Sequence, residues 1–310
     1  METKVNISVS ATAPGKVNLY FAVGPLREDG YHEVASLYAA TDVLERITIS
    51  SAHEPGIAQS MSVAEGSPVA EQVAAGAFDP TVVPLDESNL AYRGAAAVVA
   101  AQGLDIQDVA VQLHIDKAVP VAGGMGGGSA DAAAAMKAMN DYLVQAGLAT
   151  EPLALERLLE LAAPLGADVP FALLGGLAVG TGVGDKLTPI EVPEGVEPLK
   201  FGFVPSTAGL STPSVFKELD AGRAAGRYPA PDATLQVPQE LIDLLTSAEP
   251  LQKRLPAIAG LLRNDLAAPA VTLLPELAET LEQAEAQSET FASFVSGSGP
   301  TAVEIRKQKL

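Results

Sequence analysis

The chain has 310 residues, of which 48% are apolar and 18% charged, and a net charge of −19. That length and apolar content suit one large or two medium globular domains, while the acidic balance disfavours nucleic acid and anionic membrane surfaces as partners. The absence of cysteine excludes a disulfide framework, a thiolate nucleophile and a thiolate metal site, and no run reaches the ~18 apolar residues that span a bilayer.

The first residues, Met1 to Asn6, lack the basic-then-apolar order of a secretory signal, so a cytoplasmic protein is expected. Three histidines (His32, His53, His114) are too scattered to suggest a zinc site. Residues 5–11 alternate apolar and polar as a strand does. Pro14-Gly15 then reads as a turn before a second strand. Lys16 beside that turn is either a charge-neutralising group or an ordinary surface lysine. Asp29-Gly30 is a hairpin pair. Tyr31-His32 after it offers an aromatic face and a polar ring, which suits a planar heterocycle and equally suits packing. Residues 44–50 alternate as a strand. Residues 51–79 are small, polar and weakly patterned, and read as a loop, a flap with strand fragments.

Ser88 or Asn89 is placed to cap an alanine-rich helix over 91–102. Residues 109–115 alternate as a strand, which leads through Asp116-Lys117 into the stretch Pro120-Val121-Ala122-Gly123-Gly124-Met125-Gly126-Gly127-Gly128-Ser129-Ala130-Asp131. Five glycines in six residues precede a run of alanines and other helix formers. The first N–H groups of such a helix have no internal partners and the helix dipole is positive there, while residues without Cβ let an anion approach the backbone. The stretch reads as a phosphate cradle, with Ser129 placed to cap the helix or to offer a hydroxyl to a phosphate-bound cation. It fits neither G-x-x-x-x-G-K-[ST] nor G-x-G-x-x-G.

Residues 152–163 have helical apolar spacing. Asp168 follows, between Gly166 and Pro170, and reads equally as a helix cap or as a catalytic carboxylate in need of a partner. Residues 180–185 form a turn cluster and 189–198 a linker, so a second domain is expected from about 185–200. In it, 199–204 and 291–295 read as strands, 220–233 as a polar loop, and 235–246, 251–262 and 276–286 as helices. Residues 208–217 read as a loop turning into a helix. Asn264-Asp265 reads as an internal cap. Ser296 to Thr301 forms a second small-residue turn.

Three motifs stand in order: Ala13-Pro14-Gly15-Lys16-Val17-Asn18-Leu19, the glycine stretch 120–131, and Val295-Ser296-Gly297-Ser298-Gly299-Pro300-Thr301. Together they resemble the GHMP small-molecule kinases, and the match covers nearly the whole chain. Asp29-Gly30-Tyr31-His32, Gly166-Ala167-Asp168-Val169-Pro170-Phe171 and Thr212-Pro213-Ser214-Val215-Phe216 resemble the branch that acts on a cytidine diphosphate sugar alcohol. The resemblance implies an α/β (α+β) two-domain GHMP kinase fold. Residues 1–185 would form a ribosomal-S5-domain-2-like domain with a left-handed βαβ unit, and 186–310 a ferredoxin-like domain shortened at its end.

The resemblance also implies ATP as phosphoryl donor, Mg²⁺ with it, a small-molecule acceptor, and a monomer or weak homodimer. It makes Asp168 the base and Lys16 its charge partner. Pro120, Val121, Ala122, Gly123, Gly124, Met125, Gly126, Gly127, Gly128, Ser129 and Ala130 would hold ATP, with Asn89 and Lys117 on the adenine side. Asn18, Tyr31, His32, Thr212 and Phe216 would hold the acceptor. The metal ligands are left open, as is the role of Asp131. Two other readings stay open: a GHMP kinase for a different alcohol, homoserine or mevalonate, and a non-catalytic sensor on the same fold.

Overall fold

A computed structural model describes residues 6–121, 123–204, 206 and 208–307. The strands are β1 (Ser8–Leu26), β2 (His32–Ser51), β3 (Gly56–Val63), β4 (Ala110–Lys117), β5 (Leu177–Thr181), β6 (Lys186–Ile190), β7 (Phe201–Val204), β8 (Arg263–Asn264), β9 (Thr290–Val295) and β10 (Ala302–Arg306). The α-helices are α1 (Pro68–Ala74), α2 (Leu90–Ala101), α3 (Gly127–Gln145), α4 (Leu155–Ala162), α5 (Val169–Leu174), α6 (Thr212–Ala224), α7 (Gln239–Thr246), α8 (Leu251–Leu261), α9 (Ala267–Leu273) and α10 (Glu276–Glu285). None is long and apolar enough to cross a membrane, among the described residues.

Contacts divide the chain differently from a single cut at 185. One compact unit comprises residues 1–15, 43–119 and 126–174; the other comprises 16–42, 120–125 and 175–310. Strands β1 and β2 each run from one into the other.

In the first unit, β4 pairs antiparallel with the end of β2 and parallel with β3. Every second residue of β4 is apolar, and Val111, Leu113 and Ile115 are buried. They form one core with α2 and with the alanine face of α3, where Ala132 to Ala135, Met136 and Met139 are fully enclosed. Small side chains let α2 and α3 pack closely on this sheet. Asn89 starts α2 by accepting the Ala91 N–H at 2.8 Å, the side-chain cap that asparagine provides well.

In the second unit, β5 pairs with the beginning of β2 and with β6, and β8 pairs parallel with β1 at Tyr20 and Phe21. A separate antiparallel sheet has the order β7-β10-β9. Val303 and Ile305 of β10 join Phe201, α7 and α8 in one apolar cluster, while Val295 and Ala302 face α6, α9 and α10 in another. Arg254 is fully buried yet fully used: its guanidinium donates to the carbonyls of Leu244, Glu249 and Glu197.

Several expectations need correction. Pro14-Gly15 is not a turn, because β1 continues through it. Proline fits there because it needs no donor partner, and two residues on the Lys16 N–H donates to the Met125 carbonyl at 3.0 Å. The segment 51–79 is not simply loop: it contains β3 and α1. Ser67 caps α1 by accepting from Ala70, and Pro68 occupies its first turn, a start signal legible in the sequence. Helix α6 extends to Ala224, into the stretch expected as loop. Ser129 does not cap α3. It is the third helical residue, and the cap position is Gly126 in the left-handed region at φ 69°.

Candidate active site

In the second unit the three motifs converge. Gly124 has φ +73°, and a side chain there would collide with the Ser296 carbonyl. Ser296 Oγ in turn donates to the Gly124 carbonyl at 3.3 Å. Gly123 leaves the same kind of room for Thr301 Oγ1, a buried hydroxyl without a hydrogen-bond partner among the described residues. Asn264 anchors the third motif: its Nδ2 donates to the carbonyls of Val295 at 2.8 Å and Gly297 at 2.7 Å, while its Oδ1 accepts from Leu266. The sequence reading of this asparagine as an internal cap captured only the last of these bonds.

Lys16 and Asn18 point to one face of β1, as residues two apart on a strand do. The buried Lys16 Nζ donates to Asn18 Oδ1 at 2.9 Å, and Asn18 Nδ2 donates to Ser36 Oγ at 2.8 Å. A Cβ placed on Gly297 would lie 3.4 Å from both Lys16 Nζ and Asn18 Oδ1. First and third motifs therefore meet at the lysine. Lys16 Nζ also lies 5.7 Å from the centroid of the Tyr38 ring.

Of the residues expected at a flat heterocycle, His32 and Phe216 meet. His32 is buried and stacks on Phe216, with ring centroids 5.2 Å apart and planes at 23°. Its Nδ1 is 2.9 Å from the Gly24 carbonyl and its Nε2 is 3.3 Å from Asp220 Oδ2, so both ring nitrogens are engaged. Tyr31 is 63% exposed. Thr212 begins α6 and shares a 2.8 Å hydrogen bond with Ser298 of the third motif.

The first unit holds the other end of the glycine stretch. Helix α3 begins at Gly127, and Ala130 is the residue whose N–H closes the first turn, onto the Gly126 carbonyl. The N–H groups of Gly127, Gly128 and Ser129 lie in that first turn, where no intrahelical acceptor exists. The nineteen-residue length of α3 gives this end a developed dipole. Ala122 lies outside the described residues; Pro120 and Val121 precede it in the second unit. Asn89 spends its amide locally, on the α2 cap and on a 2.6 Å bond to the Pro84 carbonyl. Asp168 stands directly before α5, and its carbonyl accepts the Ala172 N–H at 3.1 Å. It belongs to the first unit and Lys16 to the second.

Beneath the start of α3 lies an ion cluster that the sequence did not announce. Lys117 Nζ donates to Glu45 Oε1 at 2.7 Å and to Asp131 Oδ2 at 2.5 Å, and all three groups are buried. Glu45 also accepts the N–H groups of Ala118 at 2.8 Å and Val119 at 3.1 Å. Burial, reinforced by the nearby Asp131 carboxylate, pushes the Glu45 carboxyl up to about 7. Burial likewise raises Asp131. It pulls Lys117 down, but the carboxylates of Asp131 and Glu45 more than offset this, and the ammonium is held above its ordinary range. Asp131, unexplained by its motif, is thus a counter-ion. Glu45 was missed because it sits in a plain alternating strand.

A glycine stretch leading into a helix N-terminus, a lysine-bearing first motif and a small-residue third motif are the features by which the chain resembles the GHMP kinases. The chain matches the family of GHMP kinases N terminal domain over residues 89–176. It is 43% identical to the 4-diphosphocytidyl-2-C-methyl-D-erythritol kinase of Corynebacterium jeikeium (strain K411), over 96% of this chain and 84% of that one. It is also 43% identical to the kinase of the same name from Paenarthrobacter aurescens (strain TC1), over 98% and 87%. A crystal structure of 4-(cytidine 5'-diphospho)-2C-methyl-D-erythritol kinase superposes with TM-score 0.68 at 28% identity, covering 96% of this chain and 89% of the other. Homoserine kinase from Cytophaga hutchinsonii, at TM-score 0.62 and 15% identity over 97% and 86%, shares the fold. The chain belongs to the 4-diphosphocytidyl-2-C-methyl-D-erythritol kinase family.

Proposed function

We propose that the chain transfers the γ-phosphoryl group of ATP to the 2-hydroxyl of 4-diphosphocytidyl-2-C-methyl-D-erythritol, giving the 2-phosphate and ADP, a step of non-mevalonate isoprenoid precursor synthesis. Family membership supports the reaction. The observation that carries it to this chain's own residues is the meeting of Lys16, Asn18 and Gly297 beside the glycine stretch that Ser296 holds.

In this reading Asp168 accepts the proton of the 2-hydroxyl as its oxygen bonds to the γ-phosphorus. The bond from phosphorus to the β–γ bridging oxygen breaks, and ADP leaves with that oxygen. A tertiary alcohol is a weak nucleophile, so proton removal by a positioned carboxylate contributes as the new bond forms. Phosphoryl transfer otherwise depends on in-line placement and on cancelling charge. The Lys16 ammonium supplies a positive charge for the transferring group, and Asn18 orients the lysine and the acceptor. The first-turn N–H groups of α3 and the backbone of 123–126 hold the triphosphate, with Asn89 and Lys117 on the adenine side. Tyr31, His32, Phe216 and Thr212 form the wall for the cytidyl end.

The described residues contain no group of three or more His, Cys, Asp or Glu side chains able to hold a metal, and Asp131 is turned toward Lys117. This fits Mg²⁺ carried by the nucleotide phosphates, as is usual for this ion, where it would neutralise charge on the β- and γ-oxygens. A cytoplasmic setting and a monomer or weak homodimer belong to the same proposal.

An ADP-release assay across a panel of alcohols tests it. Turnover with the cytidyl diphosphate substrate is expected, and turnover with homoserine or mevalonate in its place would overturn the acceptor assignment.

A further inference from the structure

We infer that Glu45, Lys117 and Asp131 act as positioning residues for ATP, a buried clamp that ties together the two ends of the phosphate-binding stretch. This inference rests on the kinase reading and adds to it Glu45, Asp131 and a second role for Lys117, which that reading places on the adenine side.

The geometry is specific. Glu45, at the middle of β2, grips the entrance of the stretch through the N–H groups of Ala118 and Val119. Asp131, one turn into α3, marks its exit. Lys117 bridges the two carboxylates at 2.7 and 2.5 Å. The chain between residues 119 and 127 is therefore pinned at both ends to one ion cluster. Gly127 allows this: a Cβ there would lie 3.2 Å from Lys117 Nζ, 3.3 Å from the Val119 carbonyl oxygen and 3.4 Å from Glu45 Oε1. A side chain there would crowd the helix start against the cluster.

The charge arrangement points the same way. An ammonium under a helix N-terminus is opposed by the helix dipole. Two carboxylates outweigh that opposition, and they bond to Lys117, Ala118 and Val119 rather than to the first-turn N–H groups of α3. Asp131 Oδ1 is buried without a hydrogen-bond partner among the described residues. An unsatisfied buried acceptor of this kind is costly. A clamp of this kind acts on nucleotide affinity, because a phosphate loop fixed before binding loses less freedom on binding.

The charged groups facing Glu45 are Lys117 from β4 and Asp131 from α3. Protonation of Glu45 removes one acceptor from the Ala118, Val119 and Lys117 set, so the clamp loosens as pH falls.

The test is direct titration of a non-hydrolysable ATP analogue by calorimetry, with Glu45→Gln and Asp131→Asn compared with the parent at pH 6 and pH 8. Both variants keep side-chain shape, and circular dichroism checks that each is folded. Expected are about tenfold weaker nucleotide binding in both at pH 8, an unchanged KM for the cytidyl acceptor, and loss in Glu45→Gln of the parent's weakening between pH 8 and pH 6. Parent-like affinity in a folded Glu45→Gln protein would overturn the clamp, and so would equal loss of acceptor and nucleotide affinity. A parent protein that binds no nucleotide would instead overturn the kinase reading beneath it. Should Glu45→Gln fail to fold, Asp131→Asn alone decides, by the same criteria at pH 8.

Discussion

Gly124 and Ser296 are 172 positions apart in sequence, yet the hydroxyl of one donates to the carbonyl of the other at 3.3 Å. The contact requires a residue with no side chain and a positive φ at 124. Gly124→Ala is expected to cost about 1–2 kcal/mol from the left-handed backbone alone, and more from the collision with the Ser296 carbonyl. Urea denaturation measures this. A variant as stable as the parent would show that the glycine stretch and the third motif do not depend on one another.

Asp168→Asn separates chemistry from binding. The amide keeps the shape of the side chain but cannot take the proton of the alcohol. A fall in kcat of about 10²–10⁴-fold is expected, with the dissociation constant for an ATP analogue little changed. Substantial turnover in this variant would remove Asp168 from the role of base.

His32 and Phe216 stack on one another in the second unit. An aromatic pair contributes about 0.5–1.5 kcal/mol beyond its buried area, so Phe216→Ala should raise KM for the cytidyl substrate about three- to tenfold and leave kcat nearly intact. The same change should leave KM for ATP where it was. An effect on ATP rather than on the acceptor would assign the ring pair to the wrong substrate.

Glu45 also predicts a pH dependence of stability. Its carboxyl is raised from 4.5 to about 7 by burial in the folded state, so the fold binds its proton more tightly than the unfolded chain does. This group's stabilising contribution is complete below about 4.5 and is lost as pH rises through about 7. On the order of 3 kcal/mol is involved. Unfolding free energies at pH 5.5 and pH 8 should therefore fall more steeply for the parent than for Glu45→Gln. Parallel pH profiles for the two proteins would contradict the burial of this charge.

Much of the local structure around the candidate site was legible because short runs carry it. The glycine stretch before a run of alanines announced a helix N-terminus, and α3 begins at Gly127 within it. Asn89 as a cap and the alternation that became β4 follow from local rules. What escaped depends on partners far along the chain. Pro14-Gly15 looks like a turn until the Met125 carbonyl is there to take the Lys16 N–H. Glu45 looks like a solvated strand residue until Lys117 and Asp131 enclose it. The Asp131 side chain could not be placed from the motif it belongs to, because its counter-ion comes from the strand before the loop. Segment 56–63 read only as strand fragments in a flap because its serines break the apolar pattern; in the sheet they meet His114, at 2.9 Å from both Ser60 and Ser62.

Strand β10 lies between β7 and β9, although it follows both in the chain. On the ribosome, then, neither β7 nor β9 has a neighbour in that sheet until residues 302–306 emerge. The third motif, which sits on the connection from β9 to β10, is also presented late, long after α3 and the glycine stretch have been made. A nascent chain therefore carries α3 and the glycine stretch well before it carries Ser296, whose hydroxyl seats the loop.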